Sequence, residues 1–264
     1  MKLPHEWAAP SVFRPENLLR EARRQRALPD VPVPEICLLD PDGDIVRQLR
    51  RQGRAQGSAG WACYHTALDE FDLGAERVGV VACAVGAPFA VLVAEQLFAS
   101  GCRLLISVTS AGQIVPAGAP PYFVLIDRAL RDEGTSAHYL PPEAPAAVDP
   151  ALADAAFAAA RAAGLPVHRG LAWTTDAPYR ETDAAIAAAR ALGVLAVEME
   201  AAALYAFARA QHRAVLCLAH VTNTMAVDGD DFEKGEADGS FDALAIVAAA
   251  AAGWRFTTGT STPR

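Results

Sequence analysis

Positive charge is scarce in this chain: 23 Lys and Arg stand against 31 Asp and Glu, for a formal net charge of −8. A protein that neutralises a phosphate backbone needs a cationic field, so nucleic acid is excluded as a partner. Long apolar runs are missing too: no stretch of about 18 apolar residues runs uninterrupted by a charge or a turn former. The first residues, MKLPHEWAAPSVFRPENLLREARR, hold no apolar h-region. A soluble cytoplasmic protein without a membrane partner is expected. No CxxC or HExxH occurs and the six histidines are scattered, so neither a metal nor a cofactor is expected. Cysteine is sparse and odd in number. Cys37, Cys63, Cys83, Cys102 and Cys217 lie far apart, mostly in apolar runs such as VGVVACAVG and AVLCLAH, and read as reduced core thiols.

What is present is apolar. At 52% hydrophobic and 20% charged residues the chain can offset its ordering entropy, which excludes disorder for the bulk of its 264 residues. Short β-rich runs at 35–39, 77–85, 103–110, 122–126, 167–175 and 214–222 read as buried strands. Between them, 44–52, 88–100, 150–163, 182–192, 199–212 and 241–253 read as helices. Pro150 and Thr182 stand where helices start, and Gly101, Gly164 and Gly193 follow where they stop. The alternation predicts a single-domain, three-layer α/β/α fold. The domain is expected over residues 31–256, between an N-terminal extension (1–30) and a flexible tail (257–264).

Three stretches carry chemistry. In CAVGAPFAVLVAEQLFASGCRLLISVTSAGQI (83–114), two strand ends form a crevice. Gly86 lets the backbone approach a ligand at a helix start, and Ser110-Ala111-Gly112 reads as a second, small-residue turn. In AVEMEAAALYAFARAQ (196–211), Glu198 and Glu200 flank Met199 where a short apolar strand yields to a helix. Carboxylates there are costly without partners, and the two oxygens of Glu200 suit the neighbouring hydroxyls of a sugar. A pair complementing the helix dipole is the structural alternative. Third, Asp40-Pro41-Asp42-Gly43-Asp44 crowds three carboxylates into one turn, which reads either as a solvated turn or as a source of a general base.

The order of these segments, with DEGTSAHYLP (132–141), TTDAPYRET (174–182), VEMEAAALY (197–205) and HVTN (220–223), resembles the nucleoside phosphorylase/uridine phosphorylase superfamily, including its hydrolytic nucleosidase branch. The likeness covers roughly residues 35–256. It implies a central mixed, partly barrel-like sheet, a homo-oligomer, and cleavage of the bond between ribose C1′ and a nucleobase, with a nucleoside as small-molecule partner and phosphate as a second partner only in phosphorolysis. By the same resemblance Glu200 grips the ribose hydroxyls, Met199 packs under the sugar with Glu198 beside it, and Asn223 touches the base. Purine-cleaving members often have an aspartate in the place of Asn223. Tyr179 matches an aromatic of the base pocket, Arg180 is a substitute for the missing pyrimidine-selecting pair, and His65 or His5 stands near the sugar 5′ end. Trp61, Trp173, Phe89 and Tyr122 are candidate walls of the base pocket.

The phosphate site departs from the family pattern. Ser107 stands where phosphorolytic members carry an arginine, the Asp40–Asp44 turn has no arginine before Arg47, and SAGW (58–61) offers no basic residue. Three carboxylates repel a dianion, whereas water needs a general base, for which Asp42 or Asp44 serves. Hydrolysis is therefore set slightly ahead of phosphorolysis. The alternatives are a phosphate site rebuilt with Arg103, Arg128 or a partner subunit's arginine, and an inactive nucleoside-binding protein.

Overall fold

The computed structural model of the chain describes residues 5–225 and 232–259. In chain order its elements are α1 (Pro15–Arg26), β1 (Ile36–Asp40), α2 (Asp44–Arg51), β2 (Gln56–Gly57), β3 (Asp69–Leu73), β4 (Glu76–Ala82), α3 (Ala87–Ala99), β5 (Leu104–Gln113), β6 (Tyr122–Asp132), β7 (Ala146–Ala147), α4 (Pro150–Ala162), β8 (Val167–Thr175), α5 (Asp183–Ala191), β9 (Val194–Glu198), α6 (Ala201–Gln211), β10 (Ala214–Asn223) and α7 (Ser240–Thr258). Each expected strand forms because its aliphatic run is buried: all of β1 and nearly all of β10 are covered. Strand β3, DEFDL, was not among the expected strands; it lies toward the sheet edge and alternates buried with partly exposed positions. Helix starts follow their caps. Asp149 accepts from the Leu152 N–H at 3.0 Å and Thr182 from the Ala185 N–H at 3.3 Å. Gly164 and Gly193 end their helices at φ 73° and 74°.

The sheet runs in the order β10-β6-β8-β9-β5-β1-β4-β3-β2, and β10 also pairs with β5. That extra pairing closes β5, β9, β8, β6 and β10 into a five-stranded barrel, with β1 to β4 as a flange. Helices α1, α3 and α6 lie together on one side, and α2, α4 and α7 on the other. This is the expected three-layer fold with a mixed, partly barrel-like sheet. Strands β1, β4, β5 and β10 run parallel, so their carboxyl ends share one rim. Strand β9 runs antiparallel to β5 and meets it only at Gly112↔Val197 and Gln113↔Ala196, which returns Glu198 toward the level of Ala111.

Sequence expectation and structure differ in three places. Residues 110–112 form no turn. They extend β5 to Gln113 because β10 pairs on one side (Ser110↔His220, Gly112↔Asn223) and β9 on the other. Residues 1–30, read as an extension, include α1, whose Leu19 and Ala22 are buried against Ala62. Its two apolar contacts are masked in the sequence by six Arg and Glu neighbours. Arg26 adds bonds to the Ala62 and Cys63 carbonyls. Cys83 is exposed at the end of β4 with φ 61°, while the other four cysteines are buried; all five are unpaired. At the far end α7 carries the chain through Thr258, and residues 260–264 of the expected tail lie outside the described residues. Among the described residues no helix is long and apolar enough to cross a membrane.

Tyr205 fastens α6 to the barrel. Its hydroxyl, fully buried, donates to the Ile126 carbonyl at 2.6 Å and accepts from the Cys217 N–H at 3.0 Å, joining α6 to β6 and β10. Replacing it with Phe strands both main-chain groups. Tyr205→Phe is expected to cost about 2 kcal/mol or more of stability, since unsatisfied buried groups carry their desolvation penalty; urea unfolding of the two proteins measures the difference.

Candidate functional site

The rim shared by the parallel strands gathers Asp42 after β1, Gly86 after β4, Ser110 in β5, Glu200 after β9 and Asn223 at the end of β10. Glu198 and Glu200 are both buried, at 3% and 1% exposure, and are handled in opposite ways. Glu198 is saturated. One oxygen accepts from the Thr174 hydroxyl, and the other accepts from the N–H groups of Glu200 (2.7 Å) and Ala201 (2.8 Å). It thereby satisfies free donors at the start of α6. Glu200 is only half satisfied. Its Oε1 accepts from the Gly86 N–H at 2.6 Å, while the buried Oε2 has no partner. Burial first, then the charge of Glu198, pushes the Glu200 carboxyl up to about 8, against the pull of the Gly86 N–H and Thr109 hydroxyl. Burial also raises Glu198, with its donors opposing the shift. Gly86, at φ 87°, has open space where a Cβ would stand, so the crevice reaches its backbone. Met199 is half-buried between the two glutamates.

The aspartate turn is not merely solvated. Asp40 is buried and folds the loop by accepting from the N–H groups of Gly43 (3.1 Å) and Val46 (2.9 Å). Burial, chiefly, pushes its carboxyl up to about 6. Asp42 Oδ2 accepts from both the Ser110 N–H, at 3.1 Å, and the Ser110 hydroxyl. Asp44 is paired with Arg47 and with Lys234, the latter at 2.5 Å, and Lys234 Nζ lies 3.8 Å from Asp42 Oδ2. A pocket of about 20 Å³ among Asp42, Asp44, Ser110, His220 and Ser240 separates the turn from α7. The expected repulsive cluster is thus corrected: Lys234 and Arg47 balance Asp42 and Asp44. Sequence reasoning missed Lys234. Its only signal was rarity, since the chain has just two lysines.

His220 is buried, stacks on Phe123 at 4.4 Å, and is driven by burial down to about 4, so it is neutral at physiological pH. Past an irregularity between Val221 and Asn223, Asn223 turns its amide over Gly112. Its Oδ1 accepts from the Met225 N–H at 2.9 Å and its Nδ2 donates to the Thr222 hydroxyl at 3.2 Å. Ala111 is buried in β5.

Among the described residues, no hydrogen bond joins the other candidates to these rim groups. Tyr179, on the loop after β8, is 98% exposed, and Arg180 beside it is exposed. His65 is exposed on the segment before β3, and the His5 ring meets that of His138 at a 40° tilt, 4.8 Å between centroids. Trp61 and Tyr122 are buried and spend their polar atoms on Thr66 and Gln113, and Phe89 is half-buried against the main core. Trp173 bonds Asp132 and belongs to a small cluster with Ile114 and Val197, against which Met225 packs. Arg103 pairs with Glu35 at the amino end of β5, the opposite end from Ser110, and Arg128 is an exposed residue of β6 paired in register with Ala147. Ser107 is buried with its hydroxyl unpartnered.

The model of the Phosphorylase superfamily matches residues 29–258. The DeoD-type purine nucleoside phosphorylase of Streptococcus pyogenes serotype M5 (strain Manfredo) is 30% identical over 167 residues, covering 62% of this chain and 70% of that protein. The uridine phosphorylase of Thermococcus kodakarensis is 32% identical over 102 residues, covering 39% and 37%. That of Salmonella typhimurium (strain LT2) is 26% identical over 154 residues, covering 53% and 61%.

The shifted Glu200 makes a stability prediction. Between about 4.5, its ordinary value, and about 8, the folded protein retains a proton that the unfolded chain has lost, so stability falls as pH rises through that window. Asp40 acts in the same direction up to about 6. Glu200→Gln is expected to flatten this decline and to melt above the parent protein at pH 8. Calorimetric Tm values at pH 5 and pH 8 measure it, and parallel profiles for the two proteins contradict the assignment.

Proposed function

Because the chain belongs to the phosphorylase superfamily, we propose that it cleaves the N-glycosidic bond of a purine or pyrimidine nucleoside with water as nucleophile. The observation that carries the choice of water is the seat of Asp42. Its carboxylate takes both the N–H and the hydroxyl of Ser110, the neutral donors on the rim that an incoming phosphate would need. Asp42 in that seat excludes a second anion by occupying its donors.

In this reading Glu200 binds the ribose. Oε1 is fixed by Gly86, and the unpartnered Oε2 accepts from the sugar hydroxyls, whose donation favours the ionised form that burial disfavours. The carboxylate then faces a sugar that becomes cationic as C1′ parts from the base, an interaction stronger in the transition state than in the ground state. Asn223 lies against the base through its amide. As the C1′–N bond breaks, its electron pair leaves with the base, which takes a proton from solvent. The water oxygen bonds to C1′ and passes its proton to Asp42. The products are free base and ribose. Phosphorolysis is the second reading, and the cations Lys234 and Arg47 beside the turn favour it.

Glu200→Gln is expected to keep the fold and lower turnover on the order of 10²-fold or more, because the amide stabilises a cationic sugar less; steady-state rates on the best nucleoside decide it. Asp42→Asn is expected to depress turnover with little change in nucleoside affinity. Sugar chromatography tests the nucleophile. Ribose should dominate with phosphate absent or in excess, whereas strict phosphate dependence with ribose 1-phosphate formed would overturn the hydrolytic reading.

A further inference from the structure

We propose that Lys234 is a positioning residue for this site: its ammonium holds Asp42 against Ser110 and so aims the carboxylate that receives the proton of the attacking water. The inference rests on the hydrolytic reading above.

Asp40, Asp42 and Asp44 share one short turn, and only Asp40 is held by the turn's own N–H groups. Asp42 and Asp44 repel each other and need a cation between them. Arg47 does not supply it to Asp42, because its guanidinium reaches Asp44 and the main-chain oxygen of Asp42 but not the Asp42 carboxylate. Among the described residues Lys234 is the one cation within 4 Å of that carboxylate, 3.8 Å from Oδ2, with Asp44 Oδ2 at 2.5 Å. A compact ammonium with three rotatable donors can face both carboxylates at once.

The backbone fixes where this ammonium sits. The neighbouring Glu233 N–H donates to the Thr222 carbonyl at 2.7 Å, binding the segment to β10 one residue before Asn223. Gly239, at φ 76°, closes against His220, whose Cε1 would stand 2.2 Å from a Cβ there, so the other end of the segment is pressed onto the same strand. The Lys234 side chain is 29% exposed, and although burial works against its charge, the Asp44 bond and the charges of Asp42 and Asp44 keep it firmly protonated. With Oδ2 turned to Ser110 and Lys234, Asp42 Oδ1 is the oxygen left for water.

The test uses the full chain and four substitutions, Lys234→Met, Lys234→Arg, Asp42→Asn and the Lys234→Met/Asp42→Asn pair, on inosine, guanosine, adenosine and uridine in phosphate-free buffer and with phosphate added. Circular dichroism establishes that each protein is folded, and Lys234→Arg keeps the test alive if the Met protein is not. Lys234→Met is expected to lower kcat about 10-fold or more with KM nearly unchanged, as for loss of a charge-assisted contact felt in the transition state. Lys234→Arg should recover part of that loss. In the Asp42→Asn background Lys234→Met should add little, because the two residues act through one carboxylate. A purely structural lysine would lower Tm but leave kcat intact, or would add its full loss to that of Asp42→Asn; either result overturns the proposal while leaving phosphate-independent hydrolysis standing. If the parent enzyme instead requires phosphate and Lys234→Met raises the KM for phosphate, the lysine is a phosphate ligand, and both the proposal and the hydrolytic reading fall. Failure of the parent protein to release base from any of the four nucleosides also removes both.

Discussion

Two carboxylates buried side by side at the junction of β9 and α6 set the terms for the rest of the structure. A buried carboxylate is costly unless donors reach it. Glu198 collects three donors and becomes part of the helix start, whereas Glu200 collects the Gly86 N–H and leaves one oxygen bare. The fold must bring Thr174, Gly86 and the start of α6 to one point: β8 pairs with β9 to set Thr174 against Glu198, and the parallel β4, β1 and β5 carry Gly86 to the same rim. Tyr205 then locks the same helix to the opposite wall. The unsatisfied oxygen is an expense in stability of the kind found where a protein keeps a group ready for a ligand.

The aspartate turn repeats this division between structural and available oxygens. Asp40 is consumed by the loop it closes, Asp44 by Arg47 and Lys234, and Asp42 gives one oxygen to Ser110. Charge is nearly balanced, so the turn differs from a phosphate pocket less by net charge than by which group occupies the Ser110 donors. In the proposed reading, water is favoured because Asp42 occupies those donors, rather than through the repulsion that the sequence suggests.

Much of the architecture was legible without coordinates because it rests on local rules. Buried aliphatic runs such as ICLLD, Asp149 and Thr182 at helix starts, and glycines after α4 and α5 each act over a few residues. Helix α1 was hidden because only Leu19 and Ala22 of its face are buried. Ser110–Gly112 departs from its local signal for a similar reason: Ser, Ala and Gly favour a turn locally, and pairing with strands more than 80 residues away overrides them.

The sequence alone determined that Glu198 and Glu200 meet the start of a helix, that Gly86 opens another, and that three aspartates crowd one turn, since spacing along the chain dictates each. Only the tertiary structure decided that the two glutamates differ in satisfaction, that Tyr179 stands in solvent, and that Lys234, 190 residues from Asp44, neutralises it. The reason is physical. Periodicity and capping operate through neighbours in sequence, whereas desolvation and Coulomb interaction depend on distance in space, and for Lys234 that distance is set where Glu233 and Gly239 meet β10.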